Sequence, residues 1–192
     1  MEKINKITEL VKAAYKQSSN EAMSQWFYEG HVKVVANYAT EIAEKVGANS
    51  ELSTLAALFH DIARTWSVTE DPALMDESIS YAEKIMLEHG YSQEEISQVK
   101  EAILPHSCKK ELPTTEIGKI LATADALAHL MTDFYSILPF YGWLTAADNF
   151  EGYRQWLLEK IERDFNTKIF YEEYKEKTKL RYEALKTLFS KQ

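Results

Sequence analysis

Apolar residues recur at steps of three and four along almost the whole chain, and this periodicity limits what the chain can fold into. Only six glycines and four prolines interrupt its 192 residues. Steps of three and four place side chains on one face of an α-helix, and we find no convincing strand pattern. The sequence therefore predicts an all-α fold in which helices bury their apolar faces against one another.

Helix breakers and capping residues predict where the helices begin and end. Gly30 leads into a helix that His31 opens and Gly47 stops, and Ser92 with Glu95 three residues later forms a capping box. The expected helices after the first one cover 31–46, about 50–64, 76–88, 92–104 and about 115–131. The expected inner face of the first helix consists of Ile4, Ile7, Leu10, Val11 and Ala14. The expected inner face of the helix that His31 opens consists of Val34, Val35, Tyr38, Ile42 and Val46.

The chain divides into a main domain and a shorter C-terminal part. An aromatic-rich connection over 134–148 ends the main domain, which we place at residues 1–148. Residues 149–192 predict two additional C-terminal helices that pack on the main domain or form the interface of a homodimer. The apolar stripes of these two helices are Tyr153, Trp156, Leu157 and Ile161, and Tyr174, Thr178, Tyr182, Leu185 and Phe189.

Charge and composition narrow the classes of partner. Twenty-two basic and thirty acidic residues give a net charge of −8, which disfavours binding to a nucleic acid duplex. The first seven residues are charged and lack the apolar core of a signal peptide, and no apolar run is long enough to cross a membrane. The single Cys108 excludes an internal disulfide. We therefore expect a cytoplasmic protein.

The pair His60-Asp61 places two strong metal ligands side by side in the apolar stretch 56–63. A carboxylate buried without a partner costs several kcal/mol or more, so such a pair needs a cation, a metal or a hydrogen-bond network. A metal ion is the simplest neutralising partner. Residues 65–72, which follow the pair, are expected to form a loop at the mouth of the site.

Two further positions extend this candidate ligand set. His31 and Asp125 each lie in an apolar helical pattern, 29 residues before His60 and 64 residues after Asp61 (60 − 31 and 125 − 61). The ligands would thus come from three helices, as they do in metal sites built inside helical bundles. Two imidazoles and two carboxylates leave part of an octahedral shell open for water and substrate, which indicates a catalytic site.

The order and flanks of these residues resemble the HD superfamily of metal-dependent phosphohydrolases. Its signature is a His, then a His-Asp pair, then a distant Asp, each on a separate helix, and the resemblance covers roughly residues 25–135. It implies an HD-domain helical bundle with one divalent ion per chain (Mn, Fe, Mg, Co, Ni or Zn). It also implies hydrolysis of a phosphomonoester or phosphodiester, with a nucleotide as the expected substrate, by water that the metal activates. Dinuclear members carry two more histidines, the earlier of which has no counterpart in residues 76–80.

Four other residues are candidates for catalysis or substrate binding beside Asp61. Arg64 is expected to bind a phosphate, unless it only stabilises a helix end. His106 matches a histidine found near the substrate phosphate or a second metal in many HD proteins, although a helix-terminal His can also bond a carbonyl. Lys109 is expected to line the entrance, and His129 lies four residues after Asp125 and so faces the same pocket or packs beside it. Some relatives have a Glu at the position of Arg64, so the general base stays unassigned.

Two alternatives remain at this point. The HD fold and its metal can persist in a binding or signalling module that has lost turnover, and the missing Glu at position 64 leaves room for it. A dinuclear iron oxygenase is also known on this fold, but it needs more ligands than the sequence supplies.

Overall fold

The computed structural model describes residues 2–66, 73–141 and 149–190, and their regular structure is entirely helical. We number the α-helices in chain order. They are α1 (Glu2–Lys16), α2 (Lys33–Val46), α3 (Ser50–Phe59), α4 (Ala73–Glu88), α5 (Gln93–Ile103), α6 (Glu116–Met131), α7 (Phe134–Ile137), α8 (Phe150–Asn166) and α9 (Glu172–Phe189). A π-helical segment, Met23–Val32, precedes α2, and short 3-10 turns cover Ile62–Thr65 and Leu138–Tyr141. The all-α prediction is confirmed.

Local sequence explains most of the helix ends. The side chains of Asn49 and Thr115 accept hydrogen bonds from the first turns of α3 and α6, and Ser92 and Glu95 form the predicted reciprocal capping box on α5. Gly47 ends α2 in the left-handed region at φ 73°, where a side chain would be strained. These predicted boundaries are confirmed, and α4 begins three residues earlier than expected.

The core is centred on α6. Every residue of this helix from Ile117 to Leu130, except the half-buried Lys119, is buried, because α2, α3, α5, α8 and α9 all pack around it. Two predictions for the inner faces of α1 and α2 are wrong, since Leu10 and Val46 are 42% and 41% exposed. Both lie at the edge of an apolar stripe, where a helix face meets solvent rather than a neighbouring helix.

The start of the helix that carries His31 also differs from the prediction. The π-helical segment runs without a break into α2, so His31 lies inside a continuous helix rather than at its first residue. Gly30 is therefore not a breaker. A Cβ atom at this position would come within 2.3 Å of Nε1 in the indole of Trp26, so any larger residue here would force that ring to move.

The C-terminal helices α8 and α9 contact each other, and both of them contact α6. Arg181 on α9 donates to the carbonyl of Leu130 at 3.3 Å. Thr123 on α6 donates to the carbonyl of Lys168 at 3.2 Å and accepts from the amide of Phe170 at 3.1 Å, which fixes the link between α8 and α9. Among the described residues, no helix is long and apolar enough to cross a membrane. Part of the expected loop at 65–72 and part of the aromatic connection at 134–148 lie outside those residues.

Candidate metal centre

The His60-Asp61 pair lies at the end of α3 rather than within it. The last helical residue is Phe59, so His60 caps the helix, and Asp61 leaves it with φ −121° and ψ 16°. The 3-10 turn Ile62–Thr65 follows, and in it the amide of Arg64 donates a hydrogen bond to the carbonyl of Asp61 at 3.0 Å. The expectation that both residues share one regular helix is therefore wrong. This change of backbone direction lets two consecutive side chains point to the same place.

The four predicted ligands converge. The Nε2 atoms of His31 and His60 are 3.2 Å apart, and Oδ1 of Asp125 lies 3.4 and 3.7 Å from them. Oδ2 of Asp61 is 3.9 Å from Nε2 of His31 and 3.7 Å from Nε2 of His60. Neighbouring ligands at right angles around an ion, with bonds of about 2.1 Å, are about 3.0 Å apart. The measured spacings are slightly wider, so the set can accept a divalent ion after a small contraction.

The hydrogen bonding of His60 also fits a cation, whereas Nδ1 of His31 is buried and has no hydrogen-bond partner among the described contacts. Nδ1 of His60 is 2.7 Å from the carbonyl of Ala57, which can only accept, so the proton is on Nδ1 and the lone pair of Nε2 faces the other ligands. Burial, together with neighbouring His129, lowers the pKa of His31 well below its ordinary value, so His31 is neutral at pH 7. A carbonyl that holds the outer nitrogen of a histidine is typical of metal sites.

The carboxylates have protein cations beside them, which the sequence analysis did not foresee. Nε of Arg64 is 3.1 Å from Oδ1 of Asp61, and Nζ of Lys168 contacts Oδ2 of Asp125. Burial alone would raise the pKa of both carboxyls. Arg64 and nearby histidines outweigh it at Asp61, and His129 and Lys168 do so at Asp125, so both pKa values are lowered. Neutralising buried charge therefore does not by itself require a metal; the convergence of imidazole nitrogens is the stronger argument.

A buried polar network lies behind Asp125 and comes from α8 and the residues after it. Nδ1 of His129 is 2.9 Å from Oδ2 of Asp164, which also accepts from Tyr135 and, at 3.1 Å, from Lys160. The sequence analysis missed Lys160, Asp164 and Lys168. The sequence contains a signal for two of them, because Lys160 and Asp164 occupy core-facing positions of the apolar stripe that contains Leu157 and Ile161.

A cleft of about 440 Å³ opens onto one side of the ligand set. Its walls come from the His60-Asp61 turn, from the start of α4 and from the segment between α5 and α6. Arg64, His106 and Lys109, which the sequence analysis named as candidates for catalysis or substrate binding, line it together with Lys110, Asp76 and Glu111. His129 was predicted to bind substrate. It is not among the described residues that line the cleft, because its ring is buried against His31 and Phe134.

His106 bonds a carbonyl at the end of α5 and also lines the cleft. Its Nδ1 is 2.7 Å from the carbonyl of Ile103, so this nitrogen carries the proton and Nε2 has the lone pair. Burial, helped by His60, lowers the pKa of His106 to about 4. The side chain is therefore a helix-end donor to a carbonyl and also a neutral hydrogen-bond acceptor in the cleft wall.

Comparison with known proteins agrees with this geometry. The family model for the HD domain matches residues 28–130, which is more than half of the chain and includes His31, His60, Asp61 and Asp125. No curated protein and no solved structure matches the chain. The matched segment ends before α8, so Asp164 and Lys168 lie outside it. On the strength of that match, the chain belongs to the HD domain family.

Proposed function

We propose that the protein is a metal-dependent phosphohydrolase that cleaves a small phosphomonoester or phosphodiester, with nucleotides as the substrate class. The observation that carries the proposal is that His31, His60, Asp61 and Asp125 converge, and that a cleft lined by Arg64 and Lys109 reaches this set at His60 and Asp61. A divalent ion held there would supply an acidified water and would offset charge that develops at phosphorus.

The residues of the cleft have separable roles in this proposal. Nε2 of His60 and Nε2 of His31 would hold the ion, together with one oxygen each from Asp61 and Asp125. Arg64 forms an ion pair with the other oxygen of Asp61, at 3.1 Å from Nε, and brings its positive charge to the cleft in which a phosphate would bind. Lys109 adds positive charge at the entrance. These roles require the substrate phosphate to bind on the α4 side of the His60-Asp61 turn.

His106 is the candidate for orienting the attacking water in the cleft. Because its Nδ1–H is held by the Ile103 carbonyl, Nε2 can accept a hydrogen bond from water or from a substrate hydroxyl in the cleft. With a pKa of about 4 in the ion-free protein, it is a weak base at pH 7 and serves mainly to orient the attacking water.

The test begins with protein freed of metal by a chelator and reloaded with Mn, Fe, Mg, Co, Ni or Zn in turn. Each form is assayed for phosphate release from nitrophenyl phosphates and from nucleoside mono-, di- and triphosphates. We expect turnover with at least one ion, loss of that turnover in Asp61→Asn, and normal turnover in Asp133→Asn, which makes the same change on the surface. A folded, metal-loaded protein without activity on the whole panel would refute the proposal and favour a binding module. Two irons per chain would favour the oxygenase.

A further inference from the structure

His129 lies closer to the ligand set than its predicted role in substrate binding requires. It follows Asp125 by one helical turn on α6, and its ring stacks on that of His31 with centroids 4.9 Å apart and planes 3° from parallel. Its Nε2 is 3.3 Å from Oδ1 of Asp125, which lies within the 3.2–3.9 Å range of the spacings between the predicted ligands. Suitable ligand atoms of His31, Asp125 and His129 all lie within 4.8 Å of one another.

The other nitrogen of His129 faces a carboxylate. Oδ2 of Asp164 is 2.9 Å from Nδ1, and the same oxygen also accepts from Tyr135 and Lys160. A carboxylate that receives these donors is ionised, so it can only accept, and the proton of His129 belongs on Nδ1. The lone pair of Nε2 then points toward the side of Asp125. A lone pair and a carboxylate oxygen 3.3 Å apart repel one another unless a cation lies between them.

Lys160 supports a different position for the imidazole proton of His129. Its Nζ is 3.1 Å from Nδ1 of His129, and a hydrogen bond in that direction would move the imidazole proton to Nε2, facing Asp125. A cation at the centre excludes this tautomer, since the ion and the proton compete for the same lone pair. Lys160 can instead direct its protons at Asp164, which is also 3.1 Å away.

We propose that His129 is a further protein ligand of the centre, the third imidazole, and that Asp164 on α8 is the carboxylate that orients it. A carboxylate behind a ligating histidine is the usual outer partner in metal sites, and its loss lowers metal affinity by about 10–100-fold. This inference rests on the metal binding of the proposed function but not on hydrolysis. The proposed ligand His129 lies within the segment that matches the HD domain, and the orienting residue Asp164 lies outside that segment.

The experiment counts imidazoles around one equivalent of Zn²⁺ by X-ray absorption fine structure, and measures Zn²⁺ affinity by competition with a chelating dye. We expect three imidazoles in the wild-type chain and two in His129→Gln, with an affinity lower by at least about 10-fold. Asp164→Asn should retain three imidazoles but bind Zn²⁺ about 10–100-fold more weakly. The matched control is His89→Gln, because His89 follows the last residue of α4 and its ring bonds the Ile85 carbonyl rather than a residue of the centre.

The outcomes separate this inference from the proposed function. Two imidazoles in both the wild type and His129→Gln would overturn the inference and indicate the tautomer that Lys160 selects. If His129→Gln is unfolded by circular dichroism, His129→Asn is measured in its place, and an imidazole count equal to the wild type again overturns the inference. A wild-type chain that binds no divalent ion would overturn the proposed function as well. Three imidazoles without phosphoester turnover would overturn only the proposed hydrolysis.

Discussion

Replacing Lys168 by methionine removes the ammonium that contacts Asp125 and keeps an unbranched side chain of similar length. Lys168 is 2% exposed, and Asp125 is 3% exposed, so water cannot take the place of the lost partner. The nearest other carboxylate of the network, Asp164, lies 3.6 Å from Nζ of Lys168 and loses a cationic neighbour as well. The substitution therefore leaves a buried negative charge at a predicted ligand.

The magnitude follows from this burial. Removing one partner of a buried ion pair costs about 3–5 kcal/mol, mostly because the other charge stays buried and unpaired. For a chain of this size, such a loss corresponds to a fall in melting temperature of roughly 6–20 °C. A divalent ion can restore part of the stability, since its charge neutralises Asp125 in place of Lys168. We expect saturating ion to stabilise Lys168→Met by at least about 1 kcal/mol more than it stabilises the wild type, because the ion no longer shares the carboxylate with an ammonium.

The assay is urea unfolding of the wild-type and variant chains, each with a chelator and with a saturating divalent ion. Lys100→Met is the control, because it removes an ammonium from Glu83, which belongs neither to the predicted ligands nor to the network behind Asp125. It should not increase stabilisation by the ion. The double variant Lys168→Met/Asp125→Asn should recover most of the loss, since both charges are then gone. A loss below about 1 kcal/mol in Lys168→Met without metal would refute the reasoning.

Three further outcomes can be measured on the ion-free protein. Gly30→Ala should lose about 1–3 kcal/mol in urea unfolding, because the new methyl group forces the Trp26 indole to move; unchanged stability would mean that the ring shifts freely. Stability should fall as the pH is lowered from about 6.5 toward 4, since the unfolded state binds the His106 proton first; the contribution is at most about 3 kcal/mol, and His106→Gln should flatten the profile. Tyr135→Phe removes a hydrogen bond to the Asp164 carboxylate and should lower the free energy of unfolding by about 1–3 kcal/mol, and a melting curve identical to the wild type would contradict the network.

Local signals in the sequence were sufficient for most of the fold. The cap residues Asn49, Ser92 and Thr115 and the left-handed Gly47 act within a few residues of themselves, so their effect can be predicted without knowing the tertiary structure. The spacing of apolar residues likewise placed α8 and α9. These elements were predicted correctly because propensity, capping and burial agree at each of them.

Predictions failed where a long-range contact decides the local structure. The π-helical segment that carries His31 depends on how the Trp26 ring packs over Gly30, and glycine alone favours a break as readily as a close approach. The departure of Asp61 from α3 is set by the 3-10 turn that follows it, in which the amide of Ala63 also bonds Ser78 on α4 at 3.1 Å. No pattern within residues 56–64 contains that information.

The predicted boundary at residue 148 separates the C-terminal helices from the main domain, but the side chains around the proposed centre come from both sides of it. Asp125 and His129 belong to the HD match, but the groups that contact their outer atoms, Lys168 and Asp164, come from α8 and the residues just after it. Thr123, two residues before Asp125, fixes that segment through two hydrogen bonds. Because buried charges are tolerated only with their partners, α6 cannot keep these side chains in place without α8. The proposed centre therefore depends on both parts of the chain, and substitutions in α8 should change metal binding although no predicted HD ligand lies there.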